Sequence, residues 1–128
     1  MGSTTSSTSH AKTSVVTVSK NGIKTIYVSG QVGFFEGKLP QDFSEQADNA
    51  FKNLDIQLKS AGASFGDVVK TNVYIVGLDS EKLRAFNIVR AKHLTNENLP
   101  ASTLLGIQAL VFPGLLVEIE AIAVVETK

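Results

Sequence analysis

The 128-residue chain contains no cysteine, which excludes disulfide bonds, thiolate metal sites and a cysteine nucleophile. It has only two histidines, His10 and His93, and His10 falls in a polar N-terminal segment, so a histidine-rich metal site is excluded as well. Twelve Lys and Arg balance twelve Asp and Glu, so no net field attracts nucleic acid or an anionic membrane. The sequence therefore predicts neither a metal, a nucleic acid nor a membrane as a partner.

Long apolar runs are also absent. No segment approaches the roughly 18 apolar residues of a membrane span, and the N-terminus lacks the apolar centre of a signal peptide. With 43% hydrophobic and 19% charged residues, the composition is typical of a packed, cytoplasmic globular domain. Residues 1–13 are a Ser/Thr-rich run without apolar periodicity, so we predict a disordered tail there and a single domain over 14–128.

Local patterns predict two helices and five strands. Asn21-Gly22 is a hairpin signal between β-rich runs at 14–19 and 24–30. Apolar residues at helical spacing predict an amphipathic helix over 42–61, ended by Gly62. The remaining elements are a strand over 68–76, a helix over 80–94 that is apolar around most of its circumference, and strands over 102–112 and 115–126. The order ββαβαββ predicts an α+β fold with both helices on one face of a mixed sheet.

Alternation along the strands separates two sheet faces. One is almost wholly apolar and is expected to lie under the helices: Leu115, Val117, Ile119, Ala121, Ala123, Val125; Leu105, Ile107, Ala109, Val111; and Val69, Thr71, Val73, Ile75. The other mixes polar residues with apolar ones, Ser102, Leu104 and Val68 among them. Such a face is too apolar for open water and usually packs against another subunit, so we expect a closed homo-oligomer.

Glu118 and Glu120 lie two residues apart on the last strand, so their side chains point the same way on this mixed face. Two carboxylates held so close on a partly buried surface need a cation, hydrogen-bond donors or a proton. Lys70, or a basic residue of a neighbouring subunit, could pair with them. Alternatively, one of them serves as a general acid/base in a cleft, with its pKa tuned by burial.

Five motifs, taken in order and spacing, are similar to those of one family. They are VSGQ at 28–31, the spacing from Gln46 through Asn53 to Gly62, DVVKTNVYI at 67–75, LPAST at 99–103 and VEIEAIAV at 117–124. Over about residues 14–126 the chain resembles the Rid (reactive intermediate deaminase, or YjgF) family. The resemblance implies a chorismate-mutase-like fold, a homotrimer whose sheets form a central barrel, and three clefts between subunits. It also implies hydrolysis of small-molecule imines and enamines to ketones and ammonia, with no cofactor.

The resemblance also assigns roles to individual residues. It places the catalytic carboxylate at Glu118, a cleft serine at Ser29, a glycine whose backbone approaches the ligand at Gly30, and a pocket asparagine at Asn87. Ser102 stands where the deaminases carry an arginine that binds the substrate carboxylate, and a hydroxyl cannot replace a bidentate guanidinium. The Gly-Pro-Tyr segment of the deaminases is also absent. These differences predict a changed substrate, with Ser29, Ser102 and backbone N–H groups orienting it.

Several residues keep two interpretations. Ser29 could bond backbone in a turn, and Asn87 could bond a neighbouring subunit, instead of a ligand. Phe34 and Phe35 could plug the core or form an aromatic wall for an apolar ligand. His93 is expected at the surface or an interface, with catalysis as the alternative.

The function also has rival hypotheses. Besides a Rid-like enzyme that hydrolyses, tautomerises or condenses its substrate, the chain could be a non-catalytic small-molecule-binding or interaction module that keeps the trimer. RNA cleavage fits poorly with the zero net charge.

Overall fold

A single sheet of six strands carries the fold in the computed structural model, which describes residues 6–12, 14–95, 97 and 99–127. The strand order across the sheet is β1-β2-β3-β6-β4-β5. All neighbouring strands are antiparallel except β4 and β5, so the sheet is mixed, as predicted. The elements are β1 (Ser6–Lys12), β2 (Val15–Lys20), β3 (Ile23–Val32), α1 (Phe43–Ser60), β4 (Val68–Val76), α2 (Ser80–His93), β5 (Ala101–Ile107) and β6 (Val117–Glu126).

The first predicted hairpin is confirmed as β2 and β3. Lys20 pairs with Ile23, which leaves Asn21 and Gly22 as a two-residue turn. Both turn residues have positive φ, 54° and 78°, a conformation that asparagine and glycine tolerate best. Local chemistry therefore sets the register of this hairpin.

The amphipathic helix is confirmed as α1, with Asp42 as its N-cap. The Asp42 carboxylate accepts a hydrogen bond from the backbone N–H of Glu45 at 3.0 Å, and Gly62 follows the helix with a φ of +83°. Ile56, which departs from the apolar stripe, is 51% exposed. The helix α2 begins after its own N-cap, Asp79, whose carboxylate accepts a hydrogen bond from the backbone N–H of Lys82.

Both helices share one hydrophobic core with the sheet. The core includes Leu54 and Leu58 from α1, Phe86 and Val89 from α2, and the predicted inward face of β6. Neither helix in the described part of the chain is both long enough and apolar enough to cross a membrane.

The predicted faces of β4 and β5 need correction. In β4, Val68 is buried and Val69 is 49% exposed, because the pairing with β6 shifts register between Val68 and Lys70. In β5 the assignment was inverted along the strand. Leu104 packs against the core and Leu105 is 50% exposed, while the segment after Ile107 leaves the sheet. Because the side-chain period is two, one misplaced residue exchanges the two faces of a strand.

The prediction of a disordered tail over 1–13 is wrong for residues 6–12. These residues form β1, which pairs antiparallel with β2 from Ser6 opposite Lys20 to Lys12 opposite Val15. An edge strand is stabilised by main-chain hydrogen bonds, which a Ser/Thr-rich segment makes without burying apolar side chains. Residues 1–5 and 13 lie outside the described residues.

Candidate active site

Two glutamates on β6 share the sheet face opposite the helices. Glu118 pairs with Tyr74 of β4, and Glu120 pairs with Asn72. Their neighbours Val117, Ile119 and Ala121 are buried in the core, so alternation turns both carboxylates the other way. The structure thus brings together the two acidic side chains that the sequence indicated.

Hydrogen-bond donors from β4 hold Glu120. The Asn72 side-chain amide donates to Glu120 Oε1 at 2.9 Å, and the Tyr74 hydroxyl donates to the same oxygen at 2.8 Å. Lys70, proposed above as a counter-ion, instead donates to the Thr103 hydroxyl at 2.7 Å. Among the described residues no ion pair reaches either glutamate, so within one chain the pairing with Lys70 is wrong.

Glu118 lies directly against the backbone of Gly30. A Cβ atom built on Gly30 would be 2.2 Å from Glu118 Cδ and 2.4 Å from Oε2, far inside van der Waals contact. The β3–β6 pairing shifts register between Val28 and Gln31, so Gly30 occupies an irregular part of the ladder. Burial raises the pKa of the Glu118 carboxyl, and the negative charge of Glu120 raises it further.

A cavity of about 290 Å³ opens on the same face beside Glu120. Its lining combines polar and apolar groups: Ser14, Val16, Tyr27, Val28, Ser29, Asn72, Glu120, Ala121 and Ile122. The backbone N–H of Ser29 donates to the Ser14 carbonyl at 2.9 Å, so the serine takes part in the turn through its main chain. Its position in the lining is also compatible with a ligand contact, and both interpretations of Ser29 stay open.

The other predicted site residues lie elsewhere in the chain. Asn87 is on the exposed side of α2, where it lines a separate cavity of about 500 Å³ with Leu83 and Ile88. Ser102 is on the helix-facing side of β5, where its hydroxyl accepts a hydrogen bond from buried Thr71 at 3.0 Å. One chain therefore does not bring Asn87 or Ser102 to Glu118.

The aromatic pair lies in the loop after β3. Phe34 is 52% exposed, and Phe35 lies beneath the Lys52 ammonium, 5.4 Å from the ring centroid. Neither ring belongs to the hydrophobic core, so the interpretation as a plug is wrong. The aromatic wall stays a prediction.

Three side-chain amides of α1 hold this loop. Asn53 donates to the carbonyls of Val32 and Phe34, each at 2.8 Å, and Asn49 donates to that of Gly33 at 3.1 Å. The fully buried Gln46 donates to the carbonyls of Pro40 and Gly114 and accepts from the N–H of Leu116, which joins this loop to the start of β6. We call Gln46, Asn49 and Asn53 the amide row.

His93 has a structural position between the helices. Its Nε2 lies 2.7 Å from Asp48 Oδ1, and its ring stacks on Phe51 at 5.0 Å between centroids. Burial alone would raise the pKa of Asp48, but hydrogen bonds to His93 and Lys52 outweigh burial and lower it. His93 is thus engaged on the opposite side of the sheet from Glu118.

Sequence reasoning missed Asn72 and Tyr74, which hold Glu120, although both stood on the predicted mixed face. The β4–β6 register that aligns them with the glutamates is a long-range property and leaves no local signal.

Within residues 6–12, 14–95, 97 and 99–127, no three His, Asp or Glu side chains gather closely enough to hold a metal ion.

The fold and the site define a small α+β domain with two carboxyls on one sheet face, of which Glu118 has a raised pKa and Glu120 lines a surface cavity. The sequence pattern of the family described as Endoribonuclease L-PSP matches residues 8–125, nearly the whole chain. The chain therefore belongs to this family, which includes the Rid (YjgF) proteins. The resemblance noted in the sequence is confirmed.

Known proteins are similar to this chain in sequence and in structure. The 2-iminobutanoate/2-iminopropanoate deaminase of Rattus norvegicus is 42% identical over 106 residues, which are 79% of this chain and 73% of the rat protein. A conserved Rid-family protein of Yersinia pestis superimposes with a TM-score of 0.75 at 33% identity, covering 85% of this chain and 84% of that one. E. coli TdcF with bound serine gives a TM-score of 0.72 at 27% identity, with coverages of 80% and 81%.

Proposed function

We propose that the protein is a cofactor-independent hydrolase of small-molecule imines and enamines, with Glu118 as its general acid/base. The observation that carries this proposal is the Glu118 carboxyl, whose pKa is raised and which lies against the backbone of Gly30. A carboxyl poised closer to neutral pH both accepts and donates protons efficiently. The rat relative, named as an imine deaminase, supports the same chemistry.

The reaction needs one water and one group that moves protons. Water adds to the imine carbon while a proton moves to the imine nitrogen, which gives a carbinolamine. Transfer of a second proton to nitrogen then releases ammonia and leaves the carbonyl. Glu118 can serve each transfer, because a single carboxyl in contact with both the oxygen and the nitrogen exchanges protons with both.

We further propose that the preferred substrate carries no carboxylate. The substrates in the rat relative's name, 2-iminobutanoate and 2-iminopropanoate, are anions. In this chain Ser102 stands where the resemblance places the carboxylate-binding arginine, and the described residues that line the 290 Å³ cavity include no Lys or Arg. A bidentate guanidinium–carboxylate pair is worth roughly 10–100-fold in binding, which a serine cannot supply.

The test compares two sets of imines made in situ. An amino-acid oxidase supplies carboxylated imines, a flavin amine oxidase supplies uncharged aromatic ones, and semicarbazide traps whatever imine remains. We expect faster clearance of the uncharged set by roughly 10–100-fold. Ser102→Arg is expected to shift the preference towards the carboxylated set, whereas Ser102→Gln, of similar length but neutral, is the matched control.

Two results would overturn this assignment. Rapid clearance of carboxylated imines by the unmodified protein would show that another cation, with Lys70 and Arg90 the first to test, binds the carboxylate. Failure to clear either set would favour the alternative of a binding or interaction module without catalysis.

We also propose a homotrimer, with clefts between subunits that unite Glu118 with Asn87, Ser102 and the aromatic pair. Large apolar side chains without partners in one chain support an assembly, among them Ile88 (57% exposed), Val111 (75%) and Phe112 (67%). Sedimentation at micromolar concentration is expected to give a species of about 41 kDa, three times the 13.6 kDa chain. A monomer would contradict the proposal.

The cytoplasmic location and the absence of a nucleic-acid partner stay predictions from sequence.

A further inference from the structure

The two glutamates of the site have unequal surroundings. Glu120 Oε1 accepts two hydrogen bonds, from Asn72 and from Tyr74, and both donors stabilise the ionised form of a carboxyl. None of the hydrogen bonds between described residues reaches the Glu118 carboxylate, which lies instead against the Gly30 backbone. When two nearby carboxyls share one proton, the carboxyl with fewer donors retains it.

We propose that Asn72 and Tyr74 are positioning residues that fix the negative charge of the pair on Glu120 and thereby leave the proton on Glu118. The catalytic role of Glu118 in this proposal rests on the proposed function, whereas the location of the proton on Glu118 does not. Whenever the pair holds one proton, Glu118 is then the acid, and that form of the enzyme acts on the neutral imine rather than on its protonated form.

The other charged or titratable groups near this face do not offset the arrangement. From β4, the Lys70 ammonium donates to Thr103 rather than to either glutamate. From β3, Tyr27 lies opposite Ile122, and the Lys24 ammonium donates to the Ala61 carbonyl at the end of α1. The strand β5 carries no charged residue. Among the described groups, Glu120 is therefore the charge that acts on the Glu118 carboxyl.

The direction of the pKa shifts agrees with this geometry. Burial raises the pKa of Glu118, and the charge of Glu120 adds to the effect. The hydrogen bond to Glu120 also raises the pKa of Tyr74, as expected for a hydroxyl that donates to an ionised carboxylate.

This assignment sets the order of proton transfers. Protonated Glu118 first gives its proton to the nitrogen of the neutral imine, which leaves a carboxylate beside an iminium ion. The carboxylate then accepts a proton from water as the water oxygen bonds to the iminium carbon. In the carbinolamine, Glu118 protonates the amino group and accepts the hydroxyl proton as the carbon–nitrogen bond breaks. Ammonia and the carbonyl leave, and Glu118 is protonated again.

The experiment is a carbon-13 NMR titration of the glutamate side chains in the intact protein. We expect the Glu118 carboxyl to titrate above the usual range of a glutamate. Glu120→Gln removes the neighbouring charge and is expected to lower the Glu118 midpoint. Tyr74→Phe removes one donor to Glu120 and is expected to lower the Glu118 midpoint as well. Thr103→Val, which removes only the partner of Lys70, is the control and should leave this midpoint unchanged.

Opposite results are equally informative. A wild-type Glu118 that titrates in the usual range of a glutamate would overturn the proposal, even if the Tyr74 variant failed to fold. A Glu118 midpoint that does not respond to Glu120→Gln would do the same. Because the titration needs no turnover, it is separable from the function: a raised Glu118 midpoint with no imine hydrolysis would refute only the proposed activity. Where hydrolysis is present, its rate should fall as pH rises through the Glu118 midpoint, and Glu120→Gln should shift this fall to lower pH.

Discussion

Replacing Glu118 by glutamine is expected to lower imine turnover by about 100-fold or more, the usual contribution of a general acid/base. Glutamine keeps the size of the side chain and its packing on Gly30, but it neither gains nor loses a proton at neutral pH. The measurement is kcat/KM for the uncharged imine set, followed by semicarbazide trapping.

The same substitution should not harm folding. Folding raises the pKa of Glu118, so its protonated carboxyl contributes to the stability of the folded state. This contribution is fully present below the unfolded-state pKa and is lost as pH rises through the folded-state pKa. At pH 7 the glutamine variant should therefore unfold at the same temperature as the wild type or at a higher one, with the difference shrinking under acid conditions.

Glu120→Gln is the matched control. It should reduce turnover less, but it weakens two charge-assisted hydrogen bonds, at a cost of about 1–3 kcal/mol in unfolding free energy. Equal losses of activity from both variants, accompanied by dissociation of the oligomer, would instead assign the pair to a subunit interface.

Gly30→Ala is expected to reduce turnover by about 100-fold, because the added methyl group and the Glu118 carboxyl cannot occupy the same space. The φ of Gly30 lies outside the left-handed region, so the backbone itself would accept alanine. The carboxyl must then move by about an ångström or more, and displacements of this size at a reacting group cost on the order of 100-fold.

A second strand glycine supplies the comparison for this variant. At Gly106 on β5, a Cβ atom would approach the Leu78 side chain at 2.9 Å, and neither glutamate is among its nearest neighbours. Gly106→Ala should therefore affect thermal stability while sparing kcat/KM. Full activity in Gly30→Ala, with a folded protein, would refute the role of the Glu118–Gly30 contact.

Local signals in the sequence predicted the parts of the fold that local chemistry determines. The apolar stripe of α1, the Asn21-Gly22 turn and the unbroken alternation of β6 each depend on residues close in sequence, and each is confirmed. The faces of β4 and β5 depend on a register shift and on where β5 ends, which are set by pairing with distant strands. Those assignments failed for that reason.

The residues of the candidate site were likewise predicted only where a single strand determines their position. Alternation alone was enough to place Glu118 and Glu120 on one face, because it is a property of a single strand. The donors to Glu120 come from β4, and Gly30 comes from β3, so their contacts depend on the order of three strands in the sheet. The strand β1 was not predicted because its composition is that of a solvated segment. Its main chain nevertheless pairs with β2 and forms one edge of the sheet.

The amide row also bears on how such a domain could diversify. Asn49 and Asn53 hold the start of the loop after β3 through main-chain oxygens, which are present whatever side chain follows. Gly33 is constrained, since a Cβ atom there would lie 2.7 Å from Gln46, but Phe34 contributes only its carbonyl to the row. A gene duplicate could thus exchange the exposed ring for a different side chain without changing the path of the main chain.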